Sequence, residues 1–348
     1  MKNLKKLLAL ALSLVTVLAF FAGCGGGEKV VVYNWGDYID PEVIDMFEEE
    51  TGIKVVYELF ETNESMYTKI KNSNNNYDVI IPSDYMIERL IKEGELEEIN
   101  FANVPNFEAN IDAEYKNPAF DPENKYSVPY TWGTLGILYN TKNVKEVPTS
   151  WGVFWNPEYK GRIIMMNSQR DAIGMALKYI GKSLNETDRA TLDAAKDKLC
   201  EMLPLASGWY IDEVKDKMIA GEGDLALVYA GDAVYCIDQN PDLAYVIPQE
   251  GSNIFYDSMC IPKGSINKEN SEKFIDFMCR PDIQARNAEY IGYSSPSTPA
   301  RELMGEAGKD PTAYPDITEY DLEFFSALDD ETKEYYNKLW TEIKASIE

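Results

Sequence analysis

From Val30 onward the chain alternates β-rich runs with stretches of helical spacing. Val30–Asn34 reads as a strand, and Pro41–Glu50 as a helix with Pro41 at a first-turn position and Gly52 just past its end. Ile53–Phe60 predicts a second strand, Glu64–Asn72 a helix, Asp78–Pro82 a third strand, and Tyr85–Glu93 a helix stopped by Gly94. This βαβαβ order implies a parallel, doubly wound sheet. Ligands of such sheets bind in the loops beyond the strands' carboxyl ends. Here those loops are Trp35–Tyr38, Glu61–Asn63 and Ser83–Tyr85.

A second α/β unit begins near Trp132. Leu135–Asn140, Arg162–Met166 and Asp224–Tyr229 read as strands; Arg170–Ile180, Thr187–Met202 and Asp212–Ala220 read as helices. A strand at Ile254–Ile261, a helix at Glu269–Met278 and a long amphipathic helix at about Glu331–Ile347 follow. No repeat, low-complexity tract or long linker separates the units, so they are expected as packed lobes. The length, 348 residues, suits two domains.

The N-terminus has a different pattern. Lys2, Lys5 and Lys6 precede an apolar run, Leu7–Ala22, that is shorter than the roughly 20 residues of a spanning helix, which points to a secretion signal over residues 1–23. The run ends Phe21-Ala22-Gly23-Cys24 and continues into Gly25-Gly26-Gly27. This resembles the lipobox of bacterial lipoproteins, with Phe21 in place of the usual Leu. It implies that Cys24 is lipidated and that residues 24–29 tether the body to a membrane.

Charge and composition then narrow the function. The net charge is −26, and −29 once a leader carrying three lysines and no acid is removed. Nucleic acid and anionic membrane surfaces are therefore poor partners. The chain has no histidine, which removes Ser–His and Cys–His nucleophiles and His-ligated metals. Cys200, Cys236, Cys260 and Cys279 match no zinc or redox spacing and are expected as buried free thiols. Gly221-Glu222-Gly223-Asp224 mimics a dinucleotide fingerprint, but it precedes its strand and reads as a turn. No cofactor and no metal is expected.

What recurs is an aromatic residue beside a carboxylate at strand ends. Examples are Trp35-Gly36-Asp37-Tyr38, Tyr229-Ala230-Gly231-Asp232, and Phe255-Tyr256-Asp257-Ser258, which is read as interrupting its strand. Arg170-Asp171 opens a helix, and Ser83-Asp84-Tyr85 adds a hydroxyl and a ring. Singly, such pairs are ordinary caps and core aromatics. Together, in the expected site loops of both lobes, they suit a linear organic cation: carboxylates for its ammonium ends, rings for its methylenes.

At these residues the chain resembles the periplasmic polyamine-binding proteins of bacterial ABC importers. The matching stretches run from VVYNWGDYIDP through YDVIIPSDY, YSVPYTWGTLGILYN, MIAGEGDLALVYAGDA and IFYDSMCIPKGS to EYIGYSSPS. The resemblance implies an α/β, two-lobed type II periplasmic binding protein fold with two hinge crossovers. Residues 30–131 plus 256–319 would form lobe 1, 132–255 lobe 2, and 320–348 a C-terminal helical segment. It further implies that Trp35, Tyr38, Tyr85, Tyr229, Phe255 and Tyr293 wall the ligand, while Asp37, Ser83, Asp171, Asp232 and Asp257 hold its amines. The implied function is an extracytoplasmic, membrane-anchored polyamine receptor, not an enzyme, working as a monomer with the permease subunits of an ABC transporter.

Spermidine-preferring members carry an acid where Ser168 stands, tryptophans where Tyr229 and Phe255 stand, and a C-terminal glutamine without a counterpart here. These departures tilt the expectation toward putrescine. The rival readings are a sugar receptor, which also combines rings and carboxylates, and a carboxylate-pair glycosidase, which needs neither histidine nor metal.

Overall fold

The computed structural model describes residues 27–72 and 77–346, so the expected leader and Cys24 lie outside the described residues. In chain order, β1 (Lys29–Trp35), α1 (Pro41–Thr51), β2 (Lys54–Phe60), α2 (Asn63–Asn72), β3 (Val79–Ile80) and α3 (Asp84–Glu93) open the body. β1 pairs in parallel with both β2 and β3, as the alternating pattern requires. Local chemistry fixes the boundaries. The Asp40 side chain accepts from the Glu42 N–H, Pro41 occupies the first turn, and Gly52 closes α1 at φ 73, a left-handed geometry natural to glycine. β1 is buried on both faces. Val30 and Val32 enter one apolar cluster with Phe47, Phe274 and Ile275, while Val31 and Tyr33 enter another with Met66, Ile87 and Leu90.

After α4 (Pro105–Asn110) comes β4 (Ser127–Asn140), whose 14 residues are all buried. The sequence signalled only its second half. Its first half carries Ser127, Thr131 and Thr134, whose hydroxyls are spent on the Asp121 carboxylate, the Ser294 carbonyl and the Tyr245 hydroxyl. Lobe 2 follows: β5 (Ile163–Met166), α5 (Gln169–Tyr179), α6 (Arg189–Met202), β6 (Ala206–Tyr210), α7 (Glu213–Ile219), β7 (Leu225–Tyr229), α8 (Ala230–Gln239) and β8 (Leu243–Val246). β9 (Ser252–Cys260) then leads back to lobe 1. It is one continuous, fully buried strand, so the expected interruption at Phe255–Ser258 is corrected. α9 (Lys268–Met278), α10 (Pro281–Ile291), α11 (Thr298–Leu303), β10 (Leu322–Glu323) and α12 (Asp330–Ala345) complete the chain.

The strand order is β2-β1-β3-β9-β4-β7-β5-β6, with β8 added to β4 and β10 to β9. β4 and β9 are therefore the strands that join the lobes. β4 pairs antiparallel with β9 through Thr134↔Ile254, and its next residue, Leu135, pairs with Tyr229 of β7. The chain crosses a third time between Tyr314, packed on the lobe 1 core, and α12, whose Tyr336, Leu339 and Ile343 enter the lobe 2 core. On this passage β10 runs parallel to β9, Leu322 opposite Ser252. Buried Lys178 of α5 anchors it through Asp321 (2.9 Å) and Glu323 (2.5 Å).

Cys200, Cys236, Cys260 and Cys279 are free thiols; three are buried, whereas Cys200 is half-exposed, contrary to the expectation for all four. Among the described residues no helix is long and apolar enough to cross a membrane.

Candidate ligand-binding site

The strand register brings the aromatic residues together. Gly133 of β4 faces Phe255 of β9, and two residues on Leu135 faces Tyr229 of β7. The Phe255 and Tyr229 rings thus meet edge to face, their centroids 5.2 Å apart. Gly133 allows this, because a Cβ there would sit 2.9 Å from the Phe255 ring and 3.2 Å from Tyr293. Tyr293 follows the left-handed Gly292 that closes α10 (φ 76). Its ring lies 5.9 Å from Phe255 and 5.4 Å from Tyr38. It also rests on Gly231 of α8 so closely that a Cβ would fall 2.3 Å away. The lobes touch at this point.

Each end of this row of rings terminates in a buried aspartate. At the lobe 1 end the Tyr38 hydroxyl donates to Asp257 Oδ2 at 2.7 Å. At the lobe 2 end the Tyr229 hydroxyl donates to Asp171 Oδ2 at 2.8 Å, and the Ser168 hydroxyl donates to the same oxygen. Asp257 is 4% exposed and Asp171 3%. Their second oxygens, Asp257 Oδ1 and Asp171 Oδ1, are buried without any hydrogen-bond partner. A buried carboxylate oxygen left this way costs free energy until a donor reaches it. Burial pushes Asp257 up to about 6, against the opposing pull of the Tyr38 and Ser83 hydroxyls. Burial also raises Asp171, with Ser168 and Tyr229 opposing.

The remaining expected residues divide into walls and mouth. Trp35 is half-buried; its indole N–H donates to the Ile81 carbonyl at 2.8 Å and its ring packs on Phe60. Ser83 pairs with Asp257 in an isolated antiparallel bridge. Asn63 holds this corner by donating to both the Ser83 hydroxyl and the Tyr85 hydroxyl at 3.1 Å, and the Tyr85 hydroxyl donates onward to Glu64 at 3.0 Å. Asp37 is exposed, in a turn at φ 50, and among the described residues it accepts no internal hydrogen bond. Asp232 belongs to α8 and faces Lys215 of α7 at 3.8 Å. Desolvation still raises Asp232 to about 6; Lys215 opposes that shift, while Asp212 and Asp37 add to it.

Two charged residues at the cleft were not singled out from sequence. Asp84, 2% exposed, opens α3 and accepts from the Tyr85 and Tyr256 N–H groups at 2.6 and 3.3 Å. Lys215 is the cation that offsets Asp232. An aspartate in a first helical turn looks like any helix-stabilising acid, and only the contact with β9 separates Asp84 from that background.

The chain matches the family described as bacterial extracellular solute-binding protein over residues 42–318. It is 36% identical over 328 residues to a spermidine/putrescine-binding periplasmic protein of Salmonella typhimurium, covering 91% of this chain and 93% of that one. It is 30% identical over 366 residues to a putrescine-binding periplasmic protein of Pseudomonas aeruginosa, covering 99% of each. Among solved structures, that of a putative spermidine/putrescine ABC transporter protein from Listeria monocytogenes superposes with a TM-score of 0.88 at 41% identity, covering 91% of this chain and 99% of that chain. A two-lobed body, a cleft between the lobes and matches of this length lead to one conclusion: the chain belongs to the bacterial extracellular solute-binding proteins.

Proposed function

We propose that the protein is an extracytoplasmic receptor for short polyamines, putrescine before spermidine, that delivers its cargo to an ABC importer by closing its lobes. One observation carries this reading: a continuous row of rings, Tyr229–Phe255–Tyr293–Tyr38, ends at each side in a dry carboxylate with one unclaimed oxygen. A linear organic dication carries a donor for each of these two oxygens. Each ammonium completes a charge-assisted hydrogen bond of about 1.5–3 kcal/mol. The four methylenes against the rings add about 0.8 kcal/mol each. Together these contributions come to about 6–9 kcal/mol, from which the cost of ordering the ligand is subtracted. The names of the relatives point to the same class of ligand. A sugar is the poorer fit, because the amides around the rings are already committed, Asn63 to Ser83 and Tyr85, Asn34 to the Tyr38 carbonyl and Asn287 to the Tyr130 hydroxyl.

Isothermal titration tests the reading directly. Putrescine is expected to give saturable heat of binding and maltose none; heat from maltose alone overturns it. The receptor role, without catalysis, goes with anchoring through Cys24, supported by the lipobox-like sequence before Gly25. Metabolic labelling with palmitate should mark the wild type and leave Cys24→Ser unlabelled.

A further inference from the structure

Gly231 is a glycine that its own backbone does not require. It is the second residue of α8, and its φ is not positive. Inside a helix alanine is the better former. What the missing side chain provides is room: a Cβ here would meet Tyr293 Cδ2 and Cε2 at 2.3 Å and Cγ at 2.5 Å. Those atoms include the root of the ring, so no swing of a flexible tip relieves the clash.

The ring has little room to retreat. The Trp132 N–H of β4 donates to the Ser294 carbonyl at 3.1 Å, and the Ser294 N–H returns to the Trp132 carbonyl at 3.2 Å, which pins the backbone just after Tyr293. The opposite edge of the ring, at Cδ1, lies 3.2 Å from where a Cβ on Gly133 would stand. Tyr293 is thus a wedge between two glycines, one on a lobe-joining strand and one on lobe 2. Gly292 adds to the seat, since a Cβ there would lie 2.8 Å from the Gly231 carbonyl oxygen. Yet the contact belongs to neither core. α8 packs Ala233 and Cys236 into a lobe 2 cluster with Leu138 and Val228, whereas Tyr293 joins the lobe 1 cluster with Tyr38 and Phe255, and the two clusters share no residue.

We propose that Gly231 is the seat on which the closing lobes meet: α8 reaches Tyr293 only when the cleft shuts over its cargo, and a side chain at 231 would prop it open. Gly231 is a positioning residue that acts through Tyr293. Its bareness lets Tyr229, two residues earlier, bring its ring to Phe255 and its hydroxyl-bound Asp171 toward the lobe 1 end. A prop here keeps the two halves of the site apart, so a ligand that enters is not enclosed. This rests on the polyamine reading above, with its lobe closure, and adds the residue on which closure depends.

The test compares wild type, Gly231→Ala and Gly133→Ala by thermal unfolding without ligand, and the first two by small-angle scattering and stopped-flow fluorescence with putrescine. Unliganded Gly231→Ala should melt within about 2 °C of wild type or above it. Gly133→Ala should melt at least about 4 °C lower, because its Cβ would press on Phe255 within the joining strands whatever the lobes do. At saturating putrescine the wild type should contract, and Gly231→Ala should show less than roughly half of that contraction. Its putrescine dissociation should be at least about tenfold faster, with association within about threefold of wild type. A Gly231→Ala that melts as early as Gly133→Ala overturns the proposal, because the contact then serves the resting fold. So does one that contracts fully and releases putrescine at the wild-type rate. A wild type that binds putrescine without contracting overturns the proposal and leaves the cargo assignment standing. A wild type that binds neither putrescine nor spermidine overturns the polyamine reading itself.

Discussion

The two lobes present their key carboxylates by different means. Asp257 belongs to a buried lobe-joining strand, with Thr131 of β4 on one side and Ser83 on the other. Asp171 rides on the first turn of a helix and is steadied by two side-chain hydroxyls. The lobe 1 end of the cleft is a fixed point set by backbone pairing. The lobe 2 end depends on rotamers that the Ser168 and Tyr229 hydroxyls hold in place. The charge surroundings differ as well: Asp171 has Arg170 one residue away, whereas Asp257 has another acid, Asp84, beside it.

Asp257→Asn is the largest expected break in that comparison. Removing one partner of a dry charge pair costs about 2–5 kcal/mol, so putrescine affinity should fall about 100-fold by calorimetry. Asp171→Asn should cost about tenfold, because Arg170 already offsets part of that charge. Equal losses in the two variants would erase the distinction between the ends.

Acidification comes next. Asp257 titrates at about 6 in the unliganded protein, and ammonium needs the ionised form. Putrescine affinity should therefore drop about tenfold between pH 7.5 and pH 5 for this one group. Stability runs the opposite way. A carboxylate raised in the folded state binds its proton there more tightly than in the unfolded chain, so its contribution to stability is lost as pH climbs from about 4 to about 6. Unliganded Asp257→Asn, which cannot titrate, should thus melt higher than wild type above pH 6 and lose that advantage near pH 4. The smallest effect is expected at Asp232→Asn, about twofold or less, because the carboxylate is partly open to water and faces Lys215. A loss as large as that of Asp171→Asn would move Asp232 from the mouth to the ligand.

The contrast between ends also marks what the sequence could show. The parallel core of lobe 1 was legible because Pro41, Gly52 and Gly94 punctuate it locally. The first half of β4 was not, because a strand buried on both faces has no alternation, and its hydroxyls find partners only in the folded chain. α8 was also missed: it begins Ala230-Gly231-Asp232, which reads as a turn, and its small residues are there to admit the Tyr293 ring. At the cleft, rings and acids at strand ends were visible in one dimension. Which acid is dry was not. Asp37 and Asp84 look equally plausible as letters, yet one is exposed and the other 2% exposed.

The third passage between the lobes has a mechanical consequence. Two adjacent strands alone form a ribbon, free to twist as well as bend. Residues 320–328 add a brace beside β9. It is fastened to α5 through Lys178, to α3 where the Ala327 N–H donates to Glu88, and at Gly251, whose φ of 90 leaves no room for a Cβ under the Asp321 carbonyl. A braced ribbon resists torsion and leaves one soft coordinate, the opening angle. In the proposed receptor, closure should therefore follow that one angle, without skew between the lobes.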